Sequence, residues 1–286
     1  MCFQENGLPA HIGFRICAIR ETFEESGVLL VRSLVKDNNT KDMTCLVSRI
    51  LSPNEIISWR KKIHNDPSVF MDFCRKIKCV PDIWSLHEWS NWVTPAYYKF
   101  RRFTTMFYVT FLDNEPDISD DGNEVTSCIW INPAISRDLA SFHQSTIAPP
   151  QYYELSRLCR FPEMDDLKKL VMTVDGVEVT EMVAVVSSSG DKINFFPGDE
   201  LYEKMKMDTY KHYAEVVRSN ASEEENRKSF PLLKITQSTK DLFHTPAGKT
   251  NRWVFNMEKG KYHFRCNTKL KYNMPVPETL FKNAHL

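Results

Sequence analysis

The chain has 286 residues, room for one large domain or two small ones. Hydrophobic residues make up 42% and charged residues 26%, ordinary values for a globular protein. Lys plus Arg and Asp plus Glu stand at 37 each, so no global basic field draws nucleic acid or anionic lipid. No run reaches the ~18 to 20 apolar residues that a membrane helix requires, so no membrane span is expected. The eight Cys are scattered behind a start, Met1 to Ala10, that lacks the form of a secretory leader. They read as reduced and mostly buried. Cys74 and Cys79, with His64 and His87 nearby, are too loosely spaced for a zinc site.

In chain order, Phe14 to Gly27 reads as a helix, because Ile16, Ile19 and Phe23 recur at i, i+3, i+7 and Gly27 supplies a stop. Val28 to Val35 is β-rich. Ser52-Pro53-Asn54-Glu55 is a capping box with Pro in the first turn, opening a helix to about His64. Asp66-Pro67 opens a second helix ending near Lys78, and the aromatic stretch Trp84 to Trp92 is expected to pack this helical pair against the main body. Phe103 to Leu112 and Glu124 to Ile131 read as strands around an acidic loop over 113–123. Pro133 to Phe142 looks helical, Ala148-Pro149-Pro150 breaks the pattern, and Gln151 to Arg160 and Met164 onward are further helices. Two β-hairpins follow: Val177–Ser187 with Lys192–Phe196, and Arg252–Met257 with Lys261–Cys266. Ser219 to Ser229 reads as a polar mobile loop, and the chain from Asn273 as an extended tail.

The chemistry concentrates in Arg20-Glu21-Thr22-Phe23-Glu24-Glu25-Ser26-Gly27-Val28. On a helix Glu21, Glu24 and Glu25 share one face, where like charges repel by a few tenths of a kcal/mol per pair. A solvated acidic face is one reading of that pattern. A site for a hard divalent cation, which prefers oxygen ligands, is the other. Arg20 lies one turn before Glu24 and can orient it.

The order of these residues resembles the second half of the box that defines the Nudix hydrolase family, in which an arginine, three glutamates and a glycine hold the same places. The first half matches poorly: its glycine place falls on Asn6, beside Gly7, and its glutamate place on Ile12. Glu124-Val125, with Trp130-Ile131 and Pro133, looks like the strand and turn that close many Nudix sheets; Glu124 reads first as a surface strand residue, with approach to the site as the second reading. Pro197-Gly198-Asp199-Glu200-Leu201-Tyr202 and the ending Ala284-His285-Leu286 are similar to the peroxisomal acyl-coenzyme A diphosphatase branch of that family. The Pro-Gly-Asp run also reads as a tight turn without catalytic duty.

The resemblance implies an α+β fold: a Nudix-type α/β/α sandwich with a mixed sheet, a helical insertion and a C-terminal α+β extension. Residues 1–151 would form the Nudix domain, N-terminally incomplete, with the insertion at about 52–92. Residues 152–286 would form the extension with its hairpins and targeting tail. It implies metal-dependent hydrolysis of the diphosphate of coenzyme A or acyl-coenzyme A to 3′,5′-ADP and 4′-phosphopantetheine or its acylated form. The cofactor would be Mg²⁺ or Mn²⁺. The metal residues would be Glu21, Glu25 and, as third ligand or water-orienting group, Glu24. Catalytic duty would fall to Glu24, Glu25 and Arg20. The partners would be that substrate and the peroxisomal import receptor, which would read Ala284, His285 and Leu286; no nucleic acid is expected. Hydrolysis of ADP-ribose or dinucleotides, and an inactive Nudix-like binding module, remain open. Residues 1–19 leave little room for the strands that normally precede the Nudix helix. The expectation is that the apolar stripe of that helix lacks cover and that the chain from Met1 is poorly soluble and inactive.

Overall fold

A computed structural model describes residues 8–34, 51–99, 101–122, 125, 127–136, 148–219, 229–244, 248–256 and 261–266. The expected loop interior 220–228, Glu124 and the tail from Asn273 lie outside the described residues, as does most of the helix expected from Pro133, of which 133–136 are helical.

The chain divides into two compact units, Met1–Glu88 with Tyr108–Trp130, and Trp89–Phe107 with Ile131–Leu286. The first is built on helix α1 (Ala10–Ser26), strand β1 (Val31–Ser33), helix α2 (Pro53–Asn65), a 3-10 turn at Pro67–Val69 running into helix α3 (Phe70–Lys76), and strand β2 (Cys79–Pro81). Helix α1 stops where Gly27 takes the left-handed conformation, φ 79°, and its N–H bonds to Phe23 O. Helix α2 starts on the capping box read from the sequence, with Ser52 Oγ accepting from Glu55 N and the Glu55 carboxylate from Ser52 N.

The apolar stripe of α1 finds its cover in these two helices. Ile19 and Phe23 are fully buried, Phe23 stacks on Phe73 at 5.1 Å, and Ile63, Phe70 and Cys74 close the cluster. Each such side chain is worth roughly 1.5–3 kcal/mol when buried. The expectation of an uncovered stripe is therefore corrected, and with it goes the ground for expecting a poorly soluble, inactive chain.

Three other expectations change in this unit. The β-rich run from Val28 yields a strand only at Val31–Ser33, antiparallel to Cys79–Pro81, while Val28 to Leu30 are buried without regular structure. Trp84 does not pack a helical pair: it is 63% exposed, with the Arg32 guanidinium 5.2 Å from its ring centre. The strand expected over 124–131 is not formed by described residues 127–131. Ile129 and Trp130 are exposed, and Trp130 Nε1 donates to Pro116 O at 3.0 Å. β-branched and aromatic residues favour a strand only where a neighbouring strand can pair with them.

The second unit holds most of the strands. Strands β3 (His87–Val93) and β4 (Thr104–Val109) carry the chain between the units. Helices α4 (Pro149–Leu158) and α5 (Met164–Thr173) follow, with Pro149 and Pro150 in the first turn of α4 rather than ahead of it. Strand β5 (Val179–Glu181) runs parallel to β3 in a three-stranded sheet of order β4-β3-β5. The larger sheet has five strands: β6 (Val183–Val186), β7 (Lys192–Phe195), β8 (Leu233–Lys234), β9 (Asn251–Asn256) and β10 (Lys261–Cys266), in the order β10-β9-β7-β6-β8. Both expected hairpins are present, β6 with β7 and β9 with β10, and β8 joins in parallel beside β6, so the sheet is mixed. Helix α6 (Tyr202–Ser219) and the short α7 (Thr239–His244) complete the unit. The architecture is α+β.

Buried polar pairs brace this unit. Glu154 accepts from Trp92 Nε1 at 2.7 Å and from Arg157 Nη1 at 2.8 Å, and Arg157 lies over the Trp89 ring. The Pro197-Gly198-Asp199 run is a turn, with Gly198 at φ 88°. Asp199 and Arg252 beside it form a fully buried ion pair. Among the described residues six cysteines are free, three of them buried, and no helix is long and apolar enough to cross a membrane.

Candidate active site at the end of helix α1

The last two turns of α1 carry the acidic run, and the geometry is that of a braced carboxylate face. Arg20 sits at the middle. Its Nη1 pairs with Glu24 Oε1, its Nη2 with Glu21 Oε1, and Nη2 also faces Cys17 Sγ at 3.7 Å. Burial alone would lower the Arg20 pKa, but the Cys17 contact and the two carboxylates outweigh it and raise it. Arg20 thus pairs with Glu24, one turn further on, and with Glu21 as well.

The three carboxylates differ in setting. Glu24 is buried and Glu21 is 46% exposed. Glu25 is half-buried. Burial raises the Glu24 pKa above its ordinary value, although the Arg20 guanidinium and the neighbouring His64 oppose the shift. His64 Nδ1, from the last turn of α2, stands 3.6 Å from Glu24 Oε2.

The helix end is tied down by residues that the sequence reading did not single out. Arg60, buried on α2, donates from Nε to Glu24 O at 3.0 Å, from Nη1 to Ser119 Oγ at 2.8 Å and from Nη2 to Ser119 O at 3.0 Å. Ser119 N bonds in turn to Ser26 O at 3.0 Å. Burial lowers the Arg60 pKa against the pull of Asp121, Cys128 and Asp120. Cys128 Sγ faces Glu25 O at 3.7 Å. The signal for Arg60 was present: it shares a helix face with Ile56 and Ile63, four residues before it and three after, so its side chain had to enter the core.

Among the described residues no three Asp, Glu, His or Cys side chains converge as a ready metal cluster. Arg20 draws Glu21 and Glu24 to itself instead. The chemistry of the donor set nevertheless fits a hard divalent cation. All its donors are carboxylate oxygens on one helix face, the ligand type that such a cation prefers. Cys74 and Cys79 are both buried, and burial pushes the Cys74 thiol up to about 12, which is the setting of an inert structural thiol.

Comparison with known proteins gives the family of the segment that contains this face. Residues 3–158, more than half of the chain, match the family described as the NUDT19 Nudix domain. The chain belongs to that Nudix family. It is 42% identical over 203 residues to the acyl-coenzyme A diphosphatase NUDT19 of Xenopus laevis, an overlap of 68% of this chain and 52% of the relative. To the protein of the same name from Gallus gallus it is 37% identical, over 68% of this chain and 53% of the relative. To that from Homo sapiens it is 35% identical, over 68% and 52%. The chain thus spans about half the length of the curated relatives it matches. No solved structure matches it.

Proposed function

We propose that this chain carries the site of a metal-dependent diphosphatase acting on coenzyme A and acyl-coenzyme A. The reaction adds water across the diphosphate and releases 3′,5′-ADP and 4′-phosphopantetheine or its acylated form. The observation that carries this reading is the braced carboxylate face of α1, ending at the left-handed Gly27, in a chain whose family relatives are named for that activity. Glu21 and Glu25 are the direct metal ligands, and Glu24 is the third ligand or the group that orients water. A bound Mg²⁺ or Mn²⁺ would neutralise the phosphate oxygens and lower the pKa of bound water. Arg20 sets the rotamers of Glu21 and Glu24, so the face is arranged before substrate arrives. We place the Nudix domain at 1–151 and the C-terminal extension at 152–286.

A second reading, a Nudix module that binds without cleaving, draws on the clasp of Arg20 on two of the three carboxylates. One assay separates the readings. With Mg²⁺ or Mn²⁺, the purified chain is expected to release 3′,5′-ADP from coenzyme A faster than it releases AMP from ADP-ribose. Faster cleavage of ADP-ribose would overturn the substrate, metal-independent cleavage would overturn the metal site, and absent cleavage of both would favour the binding module.

We also propose that Ala284-His285-Leu286, a small-basic-leucine tripeptide, is read by the peroxisomal import receptor. A fluorescent protein ending in residues 282–286 is expected to be punctate and to overlap peroxisomal markers. Diffuse fluorescence unaltered by deletion of Leu286 would count against it.

A further inference from the structure

The proposed ligands are all on α1, yet the group that fixes the end of α1 comes from elsewhere in the chain. Arg60 reaches from α2 with three hydrogen bonds, one to the main-chain oxygen of Glu24 itself and two to Ser119. It is only 6% exposed, and its guanidinium lies 3.6 Å from where a Cβ on Gly27 would stand. Ser119 closes the ring by donating its N–H to Ser26 O. The last turn of α1 is thus clamped between α2 and the acidic loop.

A helix C-terminus leaves carbonyl oxygens without partners and carries partial negative charge. Two acidic side chains, Glu24 and Glu25, add to it there. A buried guanidinium answers both conditions, and its planar fork fixes orientation as a lysine cannot. Outer groups of this kind set the angle at which ligands face a metal, and their loss typically weakens metal binding or activity about 10- to 100-fold.

We propose that Arg60 is a positioning residue of the metal site: it holds Glu24 and Glu25 in register for a divalent cation, so α2 is part of the catalytic apparatus and not only cover for the apolar stripe. This rests on the reading of the α1 face as the metal site.

The test is Arg60→Lys in the 286-residue chain, with Mn²⁺ as the probe. Mn²⁺ binding is measured without substrate by calorimetry or by the electron spin resonance signal of free ion, alongside thermal melts and coenzyme A kinetics. Lysine keeps the charge but lacks the planar fork that reaches the three acceptors from fixed directions. The variant is expected to melt cooperatively, to bind Mn²⁺ about 10- to 100-fold more weakly, and to lose kcat by a similar factor. KM is expected to stay within about threefold, because substrate contacts are untouched. A lower Tm with unchanged Mn²⁺ affinity and unchanged kcat would overturn the proposal and leave Arg60 a structural residue.

If Arg60→Lys does not fold, Ser119→Ala decides. It removes the Nη1 partner alone, so it should retain the fold and weaken Mn²⁺ binding in the same direction by a smaller factor, whereas unchanged affinity overturns the proposal. Should the wild-type chain bind Mn²⁺ yet cleave neither coenzyme A nor ADP-ribose, the functional reading fails, and the Mn²⁺ comparison still decides the role of Arg60.

Discussion

Glu25→Gln is expected to reduce metal-dependent hydrolysis of coenzyme A on the order of 10³-fold, equivalent to about 4 kcal/mol of transition-state stabilisation. The substitution preserves size and helix propensity, so α1 should form as before. What it removes is one of the anionic oxygens on the helix face. An amide oxygen is a weaker ligand for a hard cation, and in the proposed arrangement Glu25 is a direct ligand, so both metal occupancy and charge balance suffer. The melting curve of the metal-free variant should overlay that of the wild type within a few degrees, and EDTA should bring the wild type down to the activity of the variant. Near-normal turnover with Gln at position 25 would sink the assignment of the ligands. A lost melt would instead place Glu25 among the residues that hold the fold.

The parts of this protein that were legible in the sequence are those governed by local rules. Helix α1 was set by the Ile16, Ile19, Phe23 stripe and the Gly27 stop, α2 by its capping box, and the hairpins by apolar runs around short polar turns. The acidic face was legible for the same reason, because its spacing places the carboxylates on one side of a helix whatever else the chain does. What was not legible depended on partners distant in sequence. The run over 127–131 has strand composition and finds no neighbouring strand among the described residues. The burial of Arg60 follows from the helix face that it shares with Ile56 and Ile63, but its role comes only from Glu24 and Ser119, 36 and 59 positions away. The 18-residue helix α6 lies where the sequence shows no clear apolar stripe. Tyr202, Met205, Thr209 and Tyr213 are its buried positions and recur at helical spacing. Their aromatic and β-branched character obscured that period.

The largest stability effect is expected away from the proposed metal site, at the turn that the sequence marked as Pro197-Gly198-Asp199. Asp199 and Arg252 are both fully buried. Arg252 donates from Nε and Nη2 to the two carboxylate oxygens at 2.7 and 2.8 Å, and its Nη1 donates to Leu242 O at 2.7 Å. The backbone N–H groups of Asn251 and Leu201 donate to the same carboxylate at 2.7 and 2.9 Å. One side chain thus joins the turn before α6 to the start of β9, with α7 fastened through the arginine. Asp199→Asn keeps the shape but leaves a guanidinium in the core without its counter-charge. Breaking a buried pair from one side costs about 3–5 kcal/mol, against a total stability of about 5–15 kcal/mol for a folded chain. A Tm lowered by on the order of 10 °C is the expected reading. Glu200→Gln serves as the control, since Glu200 lies 3.7 Å from Arg252 Nη2 with 36% of its side chain exposed, and partly exposed pairs contribute about 0–1 kcal/mol. Replacing both Asp199 and Arg252 with apolar residues of similar volume should recover part of the loss, because no buried charge is then left unpaired. If Asp199→Asn changes stability no more than Glu200→Gln, water or another carboxylate must reach Arg252, and the pair is not the brace of this unit.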